Sequence, residues 1–405
     1  MGKSEMVLIP DVVFYQEGPG VRNTQYTTSG VKLLNVANLQ DGKVDLSTSE
    51  RYISEVEAYG KYKHFLVDDG DFIIASSGIQ VDYFEKKMGF VDSTQLPLCM
   101  NTSTIRFKSL DENKLSICYF MYCLKTPQFK DQLRTLITGS AQLNFGPSHL
   151  KKMTIPLPPL EVQRQIADVL DSASALIEKR KAQIEKLDLL VKAQFIEMFG
   201  DPLTNPMGWE VRPLGKLGDF KNGINFRSSD AGYQVACLGV GDFKSLYTIS
   251  DIGLLSKVNL AEELSSNYYL QDGDIVFVRS NGNKELVGRS VVIYPKTTPV
   301  TFSGFCIRFR KASADIDITY LNHLLHSSPA RTRLLNDGRG ANIQNLNQQM
   351  LSSQAIPLPP IAVQNDFTAF VKQVEIKKSL LQQSLEKLEL NYKSLMQKCF
   401  NGEMF

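Results

Sequence analysis

The chain has 405 residues, 43% apolar and 22% charged, the balance of an ordinary folded protein with length for two or three domains. Forty-five Lys and Arg against forty-three Asp and Glu leave a net charge of +2, which excludes a globally basic, histone-like hold on nucleic acid. No run approaches the ~18 apolar residues of a membrane span. The opening Met1-Gly2-Lys3-Ser4-Glu5 carries no leader core, and the six cysteines (Cys99, Cys118, Cys123, Cys237, Cys306, Cys399) lack CxxC spacing. A cytoplasmic protein without metal site, disulfide framework or membrane contact is expected.

In chain order, residues 1–153 read as a mixed domain of short strands bounded by Gly, Asn, Asp and Ser. Strands are expected at Phe72–Ala75 and Ser103–Phe107, then a helix at Ser116–Leu124 and an amphipathic stretch at Gln128–Thr138. Residues 154–201 follow as a lead-in and a long helix. Pro156, Pro158 and Pro159 forbid helix and hold the lead-in extended. From Glu161 to Phe199 there is neither Pro nor Gly, and Gly200-Asp201-Pro202 stops the helix. Its apolar residues Ile166, Leu170, Ala173, Ile177, Ile184, Leu187, Val191 and Met198 step by four and three, with Arg180 and Gln194 interrupting.

Residues 202–354 read as a second mixed domain, with strands at Asp274–Val278, Ser290–Tyr294 and Phe305–Phe309, a helix at Ile318–His326 and an amphipathic stretch at Ala330–Asn336. Residues 355–405 hold a second lead-in and helix, with a seam of Phe367, Val371, Val374, Leu381, Leu385, Leu388, Tyr392, Leu395 and Cys399 broken at Lys378. The seams have the period of a left-handed coiled coil, and ~38 residues of helix span ~57 Å. Two packings suit such a seam. Each helix could cover its own domain, or the two could pair antiparallel as a bar with a globular domain near each end. The narrowness of the stripe favours pairing.

The second half repeats the first. Ile155-Pro156-Leu157-Pro158-Pro159 recurs as Ile356-Pro357-Leu358-Pro359-Pro360, and the same offset of 201 matches Gln163 with Gln364 and Phe199 with Phe400. Upstream, Asp69-Gly70-Asp71-Phe72 matches Asp272-Gly273-Asp274-Ile275, Ile105-Arg106-Phe107-Lys108 matches Ile307-Arg308-Phe309-Arg310, and Gly20 is paired with Gly223 at nearly that offset. The fold class expected is therefore α+β: two mixed domains in tandem, each followed by a long helix. The copies agree at scaffold positions and differ in loops. After Asp-Gly-Asp, the first reads Ala75-Ser76-Ser77-Gly78-Ile79-Gln80 and the second Arg279-Ser280-Asn281-Gly282-Asn283-Lys284. Such a frame can read two different surfaces.

Catalytic signatures are scarce. The Asn/Asp-Pro-Pro-Tyr/Phe motif of amino-methyltransferases, the phosphate loop GxxxxGK[ST] and GxSxG are all missing from the sequence. His323 and His326, three apart on a helix, have metal-ligand spacing but no acidic or Cys partner nearby, which favours packing. Glu85-Lys86-Lys87 and Glu112-Asn113-Lys114 carry half of a nuclease metal motif, a pattern that also arises by chance. Residues 275–345 hold ten basic and four acidic residues, a local patch that can attract a polyanion or simply face solvent.

The duplicated IPLPP with Gln163 and Gln364, the helix end Glu197-Met198-Phe199-Gly200-Asp201-Pro202, the opening Gly208-Trp209-Glu210 and the loop Gly273–Gly282 together resemble the specificity subunit of type I restriction–modification enzymes. The resemblance covers essentially the whole chain. It implies two target-recognition domains, 1–153 and 202–354, each reading half of a split, asymmetric site in double-stranded DNA. It implies conserved helices at 154–201 and 355–405 that pair, set the spacer and dock two methyltransferase subunits. Two motor–nuclease restriction subunits can join them. The chain itself would be non-catalytic and bind no cofactor, with S-adenosylmethionine, ATP and Mg on the partners. One departure concerns Gly208-Trp209-Glu210: the first copy begins at the equivalent place with Met6-Val7-Leu8, and the tail Asn401–Phe405 is the candidate to complete its edge.

On this reading, phosphate contacts position the domain and base-edge contacts specify sequence. Arg279, Lys284 and Arg289 flank the polar loop Ser280, Asn281 and Asn283; Arg suits guanine and Asn suits adenine. The first copy offers Ser76, Ser77 and Gln80, with Lys61, Lys63, Lys86 and Lys87 for phosphates. An ordinary solvent-facing loop is the competing reading of each. Helix pairing falls to Ile166, Leu170, Ile177, Ile184, Leu187, Val191, Val371, Val374, Leu381, Leu385, Leu388 and Tyr392. Two other classes stay open: a metal-dependent nuclease at Glu85 or Glu112, and a scaffold that binds protein or glycan.

Overall fold

The structure, a computed structural model, describes residues 5–405 except 79, 137–145, 228–231, 244–246 and 328–344, and does not describe the side chain of residue 284. The expected stretch Ala330–Asn336 lies outside the described residues. The chain forms two compact units, Met1–Lys181 with Ser384–Phe405, and Ala182–Gln383. Among the described residues no helix is long and apolar enough to cross a membrane.

In the first unit the main sheet has four antiparallel strands in the order Val13–Glu17, Thr104–Ser109, Phe72–Ala75, Met88–Phe90. Phe72–Ala75 is buried at every position, so its sequence is a continuous apolar run rather than an alternation. A smaller sheet joins Tyr52–Ile53, Val31–Leu34 and Leu98–Met100, the last pair parallel. The second unit repeats this plan. Gly218–Asn222, Cys306–Lys311, Asp274–Val278 and Ser290–Ile293 follow the same order, with Thr248–Ile249 added at the edge. Lys257–Leu260, Tyr233–Leu238 and Val300–Phe302 make the small sheet, again with its last pair parallel.

The repeated motifs prove to be joints. Gly70 and Gly273 take φ of +78° and +85°, a conformation that Gly adopts without the Cβ penalty. Each turns the chain into a buried aspartate. Asp71 accepts the Asp68 amide and pairs with Arg106 and Lys108; Asp274 accepts the Gln271 amide and is held by Arg310 through two bonds of 2.8 and 2.7 Å. Arg106 and Arg308 are themselves buried, and they donate to the equivalent carbonyls of His64 and Asn267. Part of the basic excess in 275–345 is thus structural: Arg308 lies inside, and Arg310 is paired.

Strand register also corrects one equivalence. Glu17 stands opposite Ile105 and Asn222 opposite Ile307, so the partner of Gly223 is Gly18, not Gly20. A Cβ on Gly18 would lie 2.0 Å from the Asn101 carbonyl oxygen, and one on Gly223 2.1 Å from that of Ser303, whereas Gly20 has open space. Close backbone approach imposes glycine at the first two positions alone.

The IPLPP segments form strands, Thr154–Leu157 and Ala355–Leu358, in two-stranded ribbons where proline's missing donor is tolerated. Their partners are Glu5–Leu8 and Glu210–Pro213, with Met6 opposite Pro156 and Val211 opposite Pro357. The segment at Met6-Val7-Leu8 therefore supplies the first copy's edge strand. The tail contributes differently: Phe405 packs against the first unit's core.

The buried amides of Gln163 and Gln364 lock each helix start. Gln163 Oε1 accepts the Ser116 amide at 2.9 Å, and its Nε2 donates to the carbonyls of Lys114 and Pro158, both at 2.8 Å. Gln364 makes the same three bonds to Asp317, Asp315 and Pro359. Tyr119 and Tyr320 complete the joint by donating to the carbonyls of Pro156 and Pro357.

The helices Leu160–Phe199 and Ile361–Phe400 have 40 residues each. In the first unit, Ile166, Ala167 and Leu170 share a core with Tyr392, Leu395, Met396, Cys399 and Phe400. In the second, Leu187, Val191, Phe195 and Phe199 meet Phe367, Val371, Val374 and Leu381. The start of one helix thus lies with the end of the other in both units, which is antiparallel pairing. Both cores also contain residues of the mixed domain, such as Leu124 in one and Leu351 in the other. Covering a domain and pairing with a helix are therefore not alternatives, because opposite ends of the seam do both. Of the pairing residues, Ile166, Leu170, Ile177, Leu187, Val191, Val371, Val374 and Leu385 are buried, while Ile184, Leu381, Leu388 and Tyr392 are half-buried. Phe195, outside the expected seam, is 4% exposed and packs on Phe199, Tyr320 and Phe367. The seam interruption at Lys378 is an ion pair with Asp188 at 2.5 Å.

Candidate nucleic-acid interface

In the second unit the polar loop follows Asp274–Val278, at the end of the central strand. Its geometry is fixed by neighbouring backbone: the Phe305 carbonyl accepts the Arg279 amide at 2.7 Å, and the Arg279 carbonyl accepts that of Leu346 at 2.8 Å. Asn281 Oδ1 accepts the Asn283 amide and Asn283 Oδ1 the Glu285 amide, two local turns that shape the loop. Arg289 is tethered through Nε to the Glu285 carbonyl at 3.1 Å. Val240, Ser280, Asn281, Gly282, Phe305 and Asn345 line an open cavity of about 510 Å³. The structure thus brings Ser280 and Asn281 to one concave surface, with Arg279, Asn283 and Arg289 adjoining in the same loop. The Lys284 side chain lies outside the described residues.

Sequence reading missed Phe305, Val240 and Asn345. The strand expected at Phe305–Phe309 begins instead at Cys306, and the Phe305 ring is 60% exposed. A usable signal was its apolar side chain directly after Ser303-Gly304, turn chemistry that ends a strand.

The first unit differs at the same place. Ser76 is buried, its amide bonded to the Ser103 carbonyl and its hydroxyl 3.4 Å from Glu17, so it is withdrawn from any groove. Ser77 is half-buried and Gln80 exposed. Lys86 and Lys87 close a 3-10 segment, Val81–Lys87, with Lys86 over the ring of exposed Tyr83 at 5.2 Å. Lys61 and Lys63 are exposed in the lobe of the small sheet, Lys61 over Tyr62 at 4.9 Å. Lys86 on the exposed face of Tyr83 offers a positive charge with a stacking surface beside it, whereas the Tyr62 ring under Lys61 is buried.

The other sites take structural parts. Tyr247 stacks on His323 and His326, and Phe367 meets His323 edge-on. Burial, aided by His326, pushes the His323 pKa down to about 4. Glu85 is paired with Lys130 at 2.7 Å. Among the described residues no three His, Cys, Asp or Glu group to hold a metal ion.

Two copies of one mixed α/β frame, each with an unlike polar loop at the same strand end and each built onto paired long helices, define a tandem recognition protein. The type I restriction modification DNA specificity domain matches residues 22–186 and 206–390, and the chain belongs to that family. It is 26% identical over 313 residues to the type I restriction enzyme StySPI specificity subunit of Salmonella potsdam, covering 72% of this chain and 66% of that relative's length. The type I restriction–modification S subunit from M. genitalium has a similar fold, with a TM-score of 0.54 at 17% identity over 98% of this chain and 96% of that one. A chain from a structure addressing complex assembly and conformational transition of the type I restriction–modification system gives 0.61 at 16% identity, over 99% and 98%.

Proposed function

We propose that this chain is the DNA-reading specificity subunit of a type I restriction–modification complex. The observation that carries the reading is the repeated frame with different side chains at one strand end: Arg279, Ser280, Asn281 and Phe305 in one copy, and Ser76, Ser77, Gly78 and Ser103 in the other. Each copy reads one half of a bipartite site. Arg279, Ser280, Asn281, Asn283, Lys284 and Arg289 serve one half, with Ser77, Gln80, Lys61, Lys63, Lys86 and Lys87 serving the other.

The paired helices set the spacer. Half-sites on one face of DNA lie about 34–36 Å apart, within reach of 40-residue helices ~60 Å long. Exposed apolar side chains on the helices, Leu176 and Leu390 in one unit and Leu189, Ile196, Ile376 and Leu380 in the other, suit docking of two methyltransferase subunits. Restriction subunits can join the assembly. The chain is non-catalytic and works on cytoplasmic DNA; S-adenosylmethionine, ATP and Mg belong to the partners.

The test is single-molecule methylome sequencing of source cells with and without the gene. Loss of adenine methylation at one split, asymmetric motif is expected. An unchanged methylome, together with DNA binding by the purified complex that is indifferent to sequence, would refute the reading. Specific binding should also weaken steeply with salt.

A further inference from the structure

The internal duplication supplies a comparison within one chain. Cys306 stands opposite Val278 and Thr104 opposite Ala75, so Phe305 and Ser103 hold the same place in the two frames. One is a large apolar ring, 60% exposed, and the other a small hydroxyl. The backbone that carries the exposed ring is held at both its polar groups. The Phe305 carbonyl accepts the Arg279 amide, and the Phe305 amide donates to Ser303 Oγ at 3.3 Å.

Phe305 and Val240 form the apolar part of the cavity, and Ser280, Asn281 and Asn345 the polar part. Asn281 Oδ1 accepts one local amide, which fixes the side chain and leaves a lone pair and the NH2 group available. An acceptor and a donor on one amide match the major-groove edge of adenine, and an apolar wall matches the thymine methyl beside it.

Resting on the DNA-reading function, we propose that Phe305 is a specificity-determining residue: with Val240 it takes the 5-methyl group of a thymine in the half-site read by the second copy, and Asn281 reads the adenine of that pair. Ser103 gives the first copy no such wall, so its half-site lacks this methyl dependence at the equivalent position.

The test uses the full chain in complex with its methyltransferase partner, on duplexes carrying the motif from the methylome. Each thymine is replaced singly by deoxyuridine, which removes only the methyl group. One replacement, in one half-site, should weaken binding by the chain carrying Phe305 about 3- to 5-fold, the effect of one buried methyl. F305S should lose that sensitivity, and F305L, which keeps an apolar wall, should retain it. Independently of any variant's folding, 5-iodouracil at the sensitive position should photo-crosslink to Phe305. No sensitive thymine in either half-site, equal sensitivity in F305S, or a crosslink elsewhere overturns the proposal. Binding that ignores sequence altogether would instead refute the DNA-reading function, a separate and recognisable result.

Discussion

Gln163 and Gln364 show how much can rest on one side chain. Each buried amide satisfies one backbone N–H and two carbonyls that have left regular structure. Replacing either with Leu keeps the bulk and strands all three groups in the interior. Each orphaned group costs about 1–3 kcal/mol, so Gln163→Leu should destabilise by several kcal/mol, more than a typical surface change. Denaturant unfolding of both variants checks this; a loss below about 1 kcal/mol would show that the joint is not held by these bonds. The glutamines were legible as a repeated position, but nothing in the sequence tells which backbone groups they meet, because the partners in other segments lie 47 to 49 residues away.

His323 gives a pH-dependent term with a definite sign. The fold holds the ring neutral between Tyr247 and Phe367, with its pKa near 4, while the unfolded chain takes up a proton below about 6.5. Its stabilising contribution is therefore fully present above pH 6.5 and is lost as pH falls towards 4, by up to about 3 kcal/mol. His323→Phe keeps a ring in the stack and removes the titration. Its stability should fall less than the parent's between pH 6.5 and 4.5, measured by thermal unfolding; equal slopes would contradict the assignment.

At the scale of elements, the long helices were the most legible part of the chain. A 3.5-residue period and clean stops at Pro and Gly define them without reference to anything distant. The central strands Phe72–Ala75 and Asp274–Val278 were equally plain, since burial on both faces writes a continuous apolar run. Phe195 was not legible as a seam residue. It faces Tyr320 and Phe367, from two other segments of its unit, and these extend the apolar stripe beyond a two-helix contact. The helix pair also yields a test of the spacer role. Adding one heptad after Lys181 and one after Gln383, where the compact units divide, keeps both seams in phase. It adds about 10 Å of helix, or about three base pairs of DNA. The methylome should show a longer spacer between unchanged half-sites. Changed half-sites with the old spacer would sink the ruler.

At the scale of the molecule, the repeats exchange elements. Phe199, from the first repeat, packs on Tyr320 in the second unit, and Phe400, from the second repeat, stacks on Tyr119 in the first. Each mixed domain is therefore completed by the end of the other repeat's helix, and a cut at residue 201 would separate neither unit cleanly. The sequence by itself determined the duplication, the helices, the central strands and the family resemblance, because these are carried by local composition and by motifs that recur at a fixed offset. Only the tertiary structure decided that Ser76 and Arg308 are interior, that Gly18 rather than Gly20 answers Gly223, and that Phe305 stands exposed beside Asn281. Those outcomes depend on which backbone groups approach across the sheet and on which side chains another segment covers. Burial and register of that kind arise only when residues far apart in the chain are brought together.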